Sequence, residues 1–288
     1  MRPIKQLFSS FLITYLIVFP SYLYLHQEKE IFQSIPLSQD YIFSSDIAFE
    51  ENFISVAPNT YLHSMLFFSK GNKGVVLYFH GRGGNLAKPW CNVIKDFTSR
   101  GYDCLIFDYR GFGKSTGTIT SEQILLNDAE KVYEFLLQRY SLKETIFYGT
   151  SLGTGIATYL ASKYSPKILI LESPYCRFSE VACGLKPYFP KFLINLLLKY
   201  QFRTDLWIQK VLCPIYIFHS KADKLIPYQA SLTLQKLAPP NQLTLILLEN
   251  AAHHLIAKEA VYQSKLTEIL SPATVSYTHL TLPTSDLV

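Results

Sequence analysis

Thr145–Gly155, TIFYGTSLGTG, is the stretch on which the fold turns. Its first four residues have strand character. Gly149-Thr150-Ser151-Leu152-Gly153 follows without a gap, and Ile156 to Lys163 continues with the pattern of an amphipathic helix. Strand, sharp turn and helix in that order are the setting of a G-x-S-x-G nucleophile elbow. A serine at the apex of such a turn sits on strained backbone with its hydroxyl pushed clear of the sheet. Gly149 and Gly153 flank it because a Cβ at either place would meet the neighbouring strand or helix. The helix behind Ser151 also directs its positive end and free N–H groups at the serine. Taken alone the pentapeptide fits an ordinary strand-to-helix loop as well, so the surrounding chain decides.

Outward from the elbow, apolar runs alternate with helical patterns. Val75–Phe79, Cys104–Phe107, Ile168–Leu171, Ile215–Phe218 and Leu243–Leu248 read as strands buried on both faces. Leu86–Arg100, Ser121–Tyr140, Tyr228–Leu237 and Leu255–Leu270 read as helices between and after them. Upstream, Tyr41–Phe49, Phe53–Val56 and Tyr61–Phe68 predict three short antiparallel strands, with a hairpin turn at Pro58-Asn59. The alternation predicts an α/β protein with a mostly parallel, doubly wound sheet of about eight strands. It breaks over 175–207, where two helices divided by Pro187 and Pro190 predict a small cap over the C-terminal edge of the sheet, with a plain helical crossover as the alternative.

The loops that end these strands carry the chemistry. His80-Gly-Arg-Gly-Gly-Asn85 can turn tightly and present backbone N–H groups to a developing oxyanion; Arg82 and Leu152 are the expected donors. His80 itself reads as a structural residue at a strand end. Gly113-Lys114-Ser115 imitates the end of a phosphate-binding loop, but Asp108 stands where that motif requires glycine, so nucleotide binding is excluded. A serine nucleophile needs a base and a carboxylate to orient it. Asp223 lies on the loop after Ile215–Phe218, and His253-His254 on the loop after Leu243–Leu248. His253 is the preferred base, because it leaves a short loop before the last helix; His254 is the alternative. Glu172 is a second carboxylate at a strand end, read as structural.

Composition bounds the rest. With 288 residues, 49% of them apolar, the chain suits one domain of about residues 27–273 plus a short appendage. The net charge of +5 is scattered, without a basic stripe interleaved with aromatics, which excludes a nucleic-acid interface. Five cysteines lack metal-type spacing, and neither a metal nor a cofactor is expected. Leu7–Leu25 is uncharged, and at ~1.5 Å rise per residue it is about long enough to cross a bilayer core. Arg2 and Lys5 precede it and Glu28-Lys29-Glu30 follow, so residues 1–26 predict a single-pass anchor with a cytoplasmic N-terminus and the domain on the other side. No A-x-A-like site follows, which disfavours a cleaved signal peptide. Residues 274–288 are similar to a translated sequencing adaptor, and are expected to be non-native.

The series YFHGRGGN (78–85), FDYRGFGKSTG (107–117), YGTSLGTGIA (148–157), LESPY (171–175), HSKADKLIP (219–227) and ENAAHH (249–254) resembles the α/β-hydrolase superfamily, most of all its membrane-anchored, serine-aminopeptidase-like branch. The serine–acid–histidine chain order is the one expected of that superfamily. The resemblance implies Ser151 as nucleophile, Asp223 as acid and His253 as base, acting on an ester or thioester. It departs at His219-Ser220, where relatives have His-Gly, and at the Ala251-Ala252-His253-His254 loop. The apolar cap and the anchor point to a lipid-like acyl substrate. A peptidase and a non-catalytic binding protein on the same fold are the alternatives.

Overall fold

A computed structural model describes residues 18–271 of the chain. Eight strands form its main sheet: β1 (Phe49–Ala57), β2 (Thr60–Phe67), β3 (Val75–Phe79), β4 (Asp103–Phe107), β5 (Thr145–Thr150), β6 (Ile168–Glu172), β7 (Ile215–Ser220) and β8 (Leu243–Leu248). Their spatial order is β8-β7-β6-β5-β3-β4-β2-β1. From β4 to β8 every pairing is parallel, while β1–β2 and β2–β4 are antiparallel. The chain moves from β3 to β4 in one direction and then crosses back to place β5 on the other side of β3. That reversal opens a crevice at the carboxyl ends of β3 and β5, the place where open α/β sheets bind ligands.

The pleat explains why the central strands are apolar without a break. Val75, Leu77 and Phe79 of β3 enter one core with Leu105, Phe107 and Phe147, whereas Val76 and Tyr78 enter a second core with Cys104, Ile106, Ile146 and Tyr148. On the first face lie α3 (Glu122–Leu136), α4 (Leu152–Lys163) and α8 (Gln229–Leu237); on the second lie α2 (Ile94–Thr98) and α9 (Ala260–Leu270). Burying one such side chain stabilises the fold by roughly 1.5–3 kcal/mol, so the two cores fix the sheet from both sides.

Three local expectations change. Tyr41–Ile47 forms no ladder; Phe43 and Ile47 only rest against the second core, and Phe43 stacks on His63. Strand β1 instead runs through Glu50-Glu51-Asn52, a polar stretch that periodicity breaks. Its charges have distant partners: Glu50 accepts two hydrogen bonds of 2.8 Å from Arg139, and Glu51 accepts from His63 at 2.9 Å and from Lys114 at 2.6 Å. The lysine of the false phosphate loop is therefore committed to a carboxylate. The helix expected over Leu86–Arg100 shrinks to a 3-10 turn at Trp90–Val93 and the short α2, because Pro89 interrupts it. The last helix likewise divides into a 3-10 turn at Ile256–Lys258 and α9.

Over 175–207 the chain forms α5 (Phe178–Leu185), α6 (Lys191–Leu197) and α7 (Thr204–Trp207). All described cysteines are free thiols. The expected anchor lies mostly outside the described residues, as does the tail from residue 272. The described part of the N-terminus is α1 (Phe19–Ile31), which runs straight across the boundary expected at residues 26–27. Among the described residues no helix is long and apolar enough to cross a membrane. After α1 the chain threads between two loops. Gln33 and Ser34 pair in parallel with Gly83 and Gly84, and Leu37 donates to the Gly113 carbonyl at 2.8 Å.

Candidate active site

Ser151 links β5 to α4 with φ 51° and ψ −116°, a left-handed conformation that costs a residue bearing a side chain about 1–3 kcal/mol. The surroundings impose it. The Ser151 N–H donates to the Glu172 carbonyl at 2.9 Å, while its own carbonyl accepts from the Thr154 N–H at 3.0 Å and the Thr154 hydroxyl at 2.6 Å. A Cβ on Gly153 would stand 2.1 Å from the Phe79 carbonyl oxygen, and one on Gly149 would stand 2.7 Å from the Gly153 oxygen. Both glycines are therefore steric requirements of the turn.

The structure brings Ser151, His253 and Asp223 into one hydrogen-bonded chain. His253 Nδ1 lies 2.7 Å from Asp223 Oδ2, and His253 Nε2 lies 3.0 Å from Ser151 Oγ. An ionised carboxylate only accepts, so Nδ1 carries the proton and donates, leaving Nε2 to accept from the serine hydroxyl. His254 is exposed and takes no part. Asp223 is buried with its oxygens satisfied: Oδ2 also accepts from Ser173 at 2.9 Å, and Oδ1 accepts from the N–H groups of Leu225 and Ile226 at 2.9 and 3.0 Å. Burial by itself would raise this carboxyl. The imidazoles of His219 and His253 outweigh it, and hold the group well below the usual carboxylate range. Ser173 is a site residue that sequence reasoning passed over. It stood inside LESPY, beside the carboxylate that drew attention instead.

Glu172 behaves in the opposite way. It is buried behind the site, accepts from the Tyr148 hydroxyl at 2.6 Å, and Tyr148 in turn lies 2.8 Å from the Tyr262 hydroxyl. Burial raises its carboxyl above the ordinary value, against the smaller effect of the Tyr148 hydrogen bond. His80 is also structural: it is buried, its Nδ1 donates to the Gly81 carbonyl at 2.7 Å, and burial lowers its imidazole.

Arg82 and Leu152 line a cleft of about 20 Å³ together with Ser151, Tyr175, Leu225 and Ile226. The loop that carries Arg82 passes directly against the serine, since a Cβ on Gly81 would lie 3.7 Å from Ser151 Cβ. The same loop is braced by Trp90, whose indole N–H donates to the Gly83 carbonyl at 2.6 Å. Among the described residues no group of three His, Cys, Asp or Glu side chains is arranged to hold a metal.

Sheet order, elbow and the serine–acid–histidine chain order are those of the α/β-hydrolase fold. Residues 74–174 match the family described as alpha/beta hydrolase fold, and the chain has that fold. Among curated proteins, the lysophosphatidylserine lipase ABHD12 of Danio rerio is 33% identical, over 57% of this chain and 47% of its own. The uncharacterized protein R595 of Acanthamoeba polyphaga mimivirus is 29% identical, over 70% of this chain and 74% of its own. The chain thus spans about half the length of the lysophosphatidylserine lipases it matches. Among solved structures, the Pyrococcus furiosus esterase Pf2001 superposes with a TM-score of 0.63 at 17% identity, covering 83% of this chain and 97% of that one. Est1E of Butyrivibrio proteoclasticus, bound to ferulic acid, gives 0.61 at 20%, covering 76% and 100%.

Two outcomes follow from the packing. Gly153→Ala forces the Phe79 carbonyl to move and should destabilise the protein by about 2–4 kcal/mol, read as a lowered denaturation midpoint. Glu172→Gln tests the buried carboxyl. A raised acid contributes stability that is full below the unfolded value near ~4.3 and is lost as pH rises through the folded one. The melting temperature of Glu172→Gln relative to the parent should therefore be more favourable at pH 8 than at pH 4.5, by about 2–4 °C for each kcal/mol involved.

Proposed function

We propose that this chain is a serine hydrolase that cleaves carboxylic esters of lipid-like acyl substrates, with Ser151, His253 and Asp223 as its catalytic triad. The observation that carries the reading is the 3.0 Å contact from Ser151 Oγ to His253 Nε2, continued at 2.7 Å from His253 Nδ1 to Asp223. His253 removes the serine proton as Oγ attacks the substrate carbonyl, forming a tetrahedral adduct. The backbone N–H groups of Leu152 and Arg82 receive the developing oxyanion; each such donor contributes about 3–4 kcal/mol to the transition state. His253 then gives its proton to the leaving alcohol, and water repeats the sequence in reverse to release the acid. Asp223 keeps its charge throughout, because its carboxyl is held so low. It fixes the imidazole tautomer and offsets the positive charge on the ring.

The relatives lend support, being named as a lipase and as esterases. Membrane attachment through Leu7–Leu25, with a cytoplasmic N-terminus and the hydrolase domain beyond the bilayer, belongs to the same proposal. Tyr22 and Leu25 of α1 are more than half exposed, and so are Tyr188, Phe192 and Leu196 around α6, which packs on α1. Apolar side chains so exposed on adjoining elements suit a lipid surface.

Full-length protein should be labelled by a fluorophosphonate probe and should hydrolyse p-nitrophenyl butyrate. Ser151→Ala should abolish both. Asp223→Asn should lower kcat by about 10⁴, as expected when the tautomer is lost, while His254→Ala stays within about threefold of the parent. A Ser151→Ala protein that still turns over the ester at the parent rate would sink the reading. The protein should also sediment with membranes and resist carbonate extraction; recovery of the full chain in the carbonate supernatant would refute the anchor.

A further inference from the structure

The cleft at Ser151 offers about 20 Å³, room for little more than one water, so a substrate of any length must continue elsewhere. Arg82, Phe178 and Leu185 line it, and the same three residues line a second cavity of about 240 Å³. That cavity is a half-open groove between α1 and the helices α5 and α6. Its walls include Leu23 and Ile31 from α1, Ala182 from α5, and Ile194 and Leu197 from α6. An engineered aliphatic cavity of ~150 Å³ accepts benzene, so this one has room for a longer hydrocarbon segment.

We infer that the cavity beneath α1 receives the acyl chain of the substrate, and that α1 is a wall of the substrate site and more than a tether. The inference rests on the hydrolase reading above and names the substrate class for that same centre. Three polar groups around the cavity, Lys186, Glu30 and Gln27, already have partners, which favours a hydrocarbon over a charged headgroup. Lys186 pairs with Glu30 at 3.1 Å. Gln27 joins α1 to the end of α6, donating to the Leu197 carbonyl at 3.2 Å and accepting from the Lys199 N–H at 2.8 Å. Lys199 and the Tyr200 hydroxyl donate to Glu28 at 3.0 and 3.1 Å. These contacts pin α1 over α6 and leave the interior to the apolar side chains. A chain entering past Phe178 and Leu185 replaces water along aliphatic walls, and each methylene so buried strengthens transition-state binding about fourfold.

The test uses the full chain in detergent and compares kcat/KM for p-nitrophenyl dodecanoate and p-nitrophenyl acetate. The parent should prefer the dodecanoate by at least tenfold. Ala182→Trp fills the cavity from α5 and Leu197→Trp fills it from α6; each should lower the dodecanoate-to-acetate ratio at least tenfold, with circular dichroism showing that the variants fold. Ala182→Leu, a smaller change, should shift the preference toward shorter chains. In parallel, Ser151→Ala protein is titrated with cis-parinaric acid, whose fluorescence should rise on binding and fall when Ala182→Trp is added. Folded tryptophan variants that keep the parental ratio and the parental parinaric acid affinity overturn the inference. If no ester is hydrolysed while parinaric acid still binds and is displaced by Ala182→Trp, the hydrolase reading fails and the acyl-chain site stands.

Discussion

Everything at the site depends on how closely the first turn of α4 approaches the end of β3. No side-chain atom fits between Gly153 and the Phe79 carbonyl, where a Cβ would sit at 2.1 Å. That contact lets the helix start immediately behind Ser151. It also forces the serine into positive φ, and sets the Leu152 N–H beside the loop that carries Arg82. The strain at Ser151 is sustained because hydrogen bonds from both sides over-determine it: Glu172 receives its N–H, and Thr154 donates twice to its carbonyl. Packing on both faces of the sheet supplies the rigidity that such a turn requires.

Two carboxylates at neighbouring strand ends show how environment separates chemical roles. Asp223 and Glu172 are both buried, and burial opposes charge on each. Asp223 collects two imidazoles, a hydroxyl and two backbone N–H groups, and remains charged. Glu172 has hydroxyl partners and retains its proton more readily. Groups whose surroundings drive their acidities apart can perform different tasks in one site, even where the side chains are nearly alike.

Much of this was legible in the sequence, for a definite reason. The central strands are apolar on both faces, so they announce themselves as runs, and the residues that follow each run fall at one edge of a parallel sheet. Ser151, Asp223 and His253 could be placed on that basis, though they are as much as 102 positions apart. What could not be read depends on partners far along the chain. Glu50 and Glu51 belong to a strand because Arg139, His63 and Lys114 neutralise them. Ser173 touches Asp223 only through the fold, across 50 positions. The cavity under α1 forms from segments some 170 residues apart, which no local pattern encodes.

The short strap at Gln33–Leu37 gives the N-terminal helix an influence beyond its own contacts. It runs from α1 between the glycine loop at 82–85 and the loop containing Gly113, hydrogen-bonded to each in turn. Any version of the protein shortened to begin after this strap would take from the glycine loop beside Ser151 the backbone ladder that steadies it. A displacement of α1 is carried to the glycine loop beside Ser151 through the five residues Gln33–Leu37.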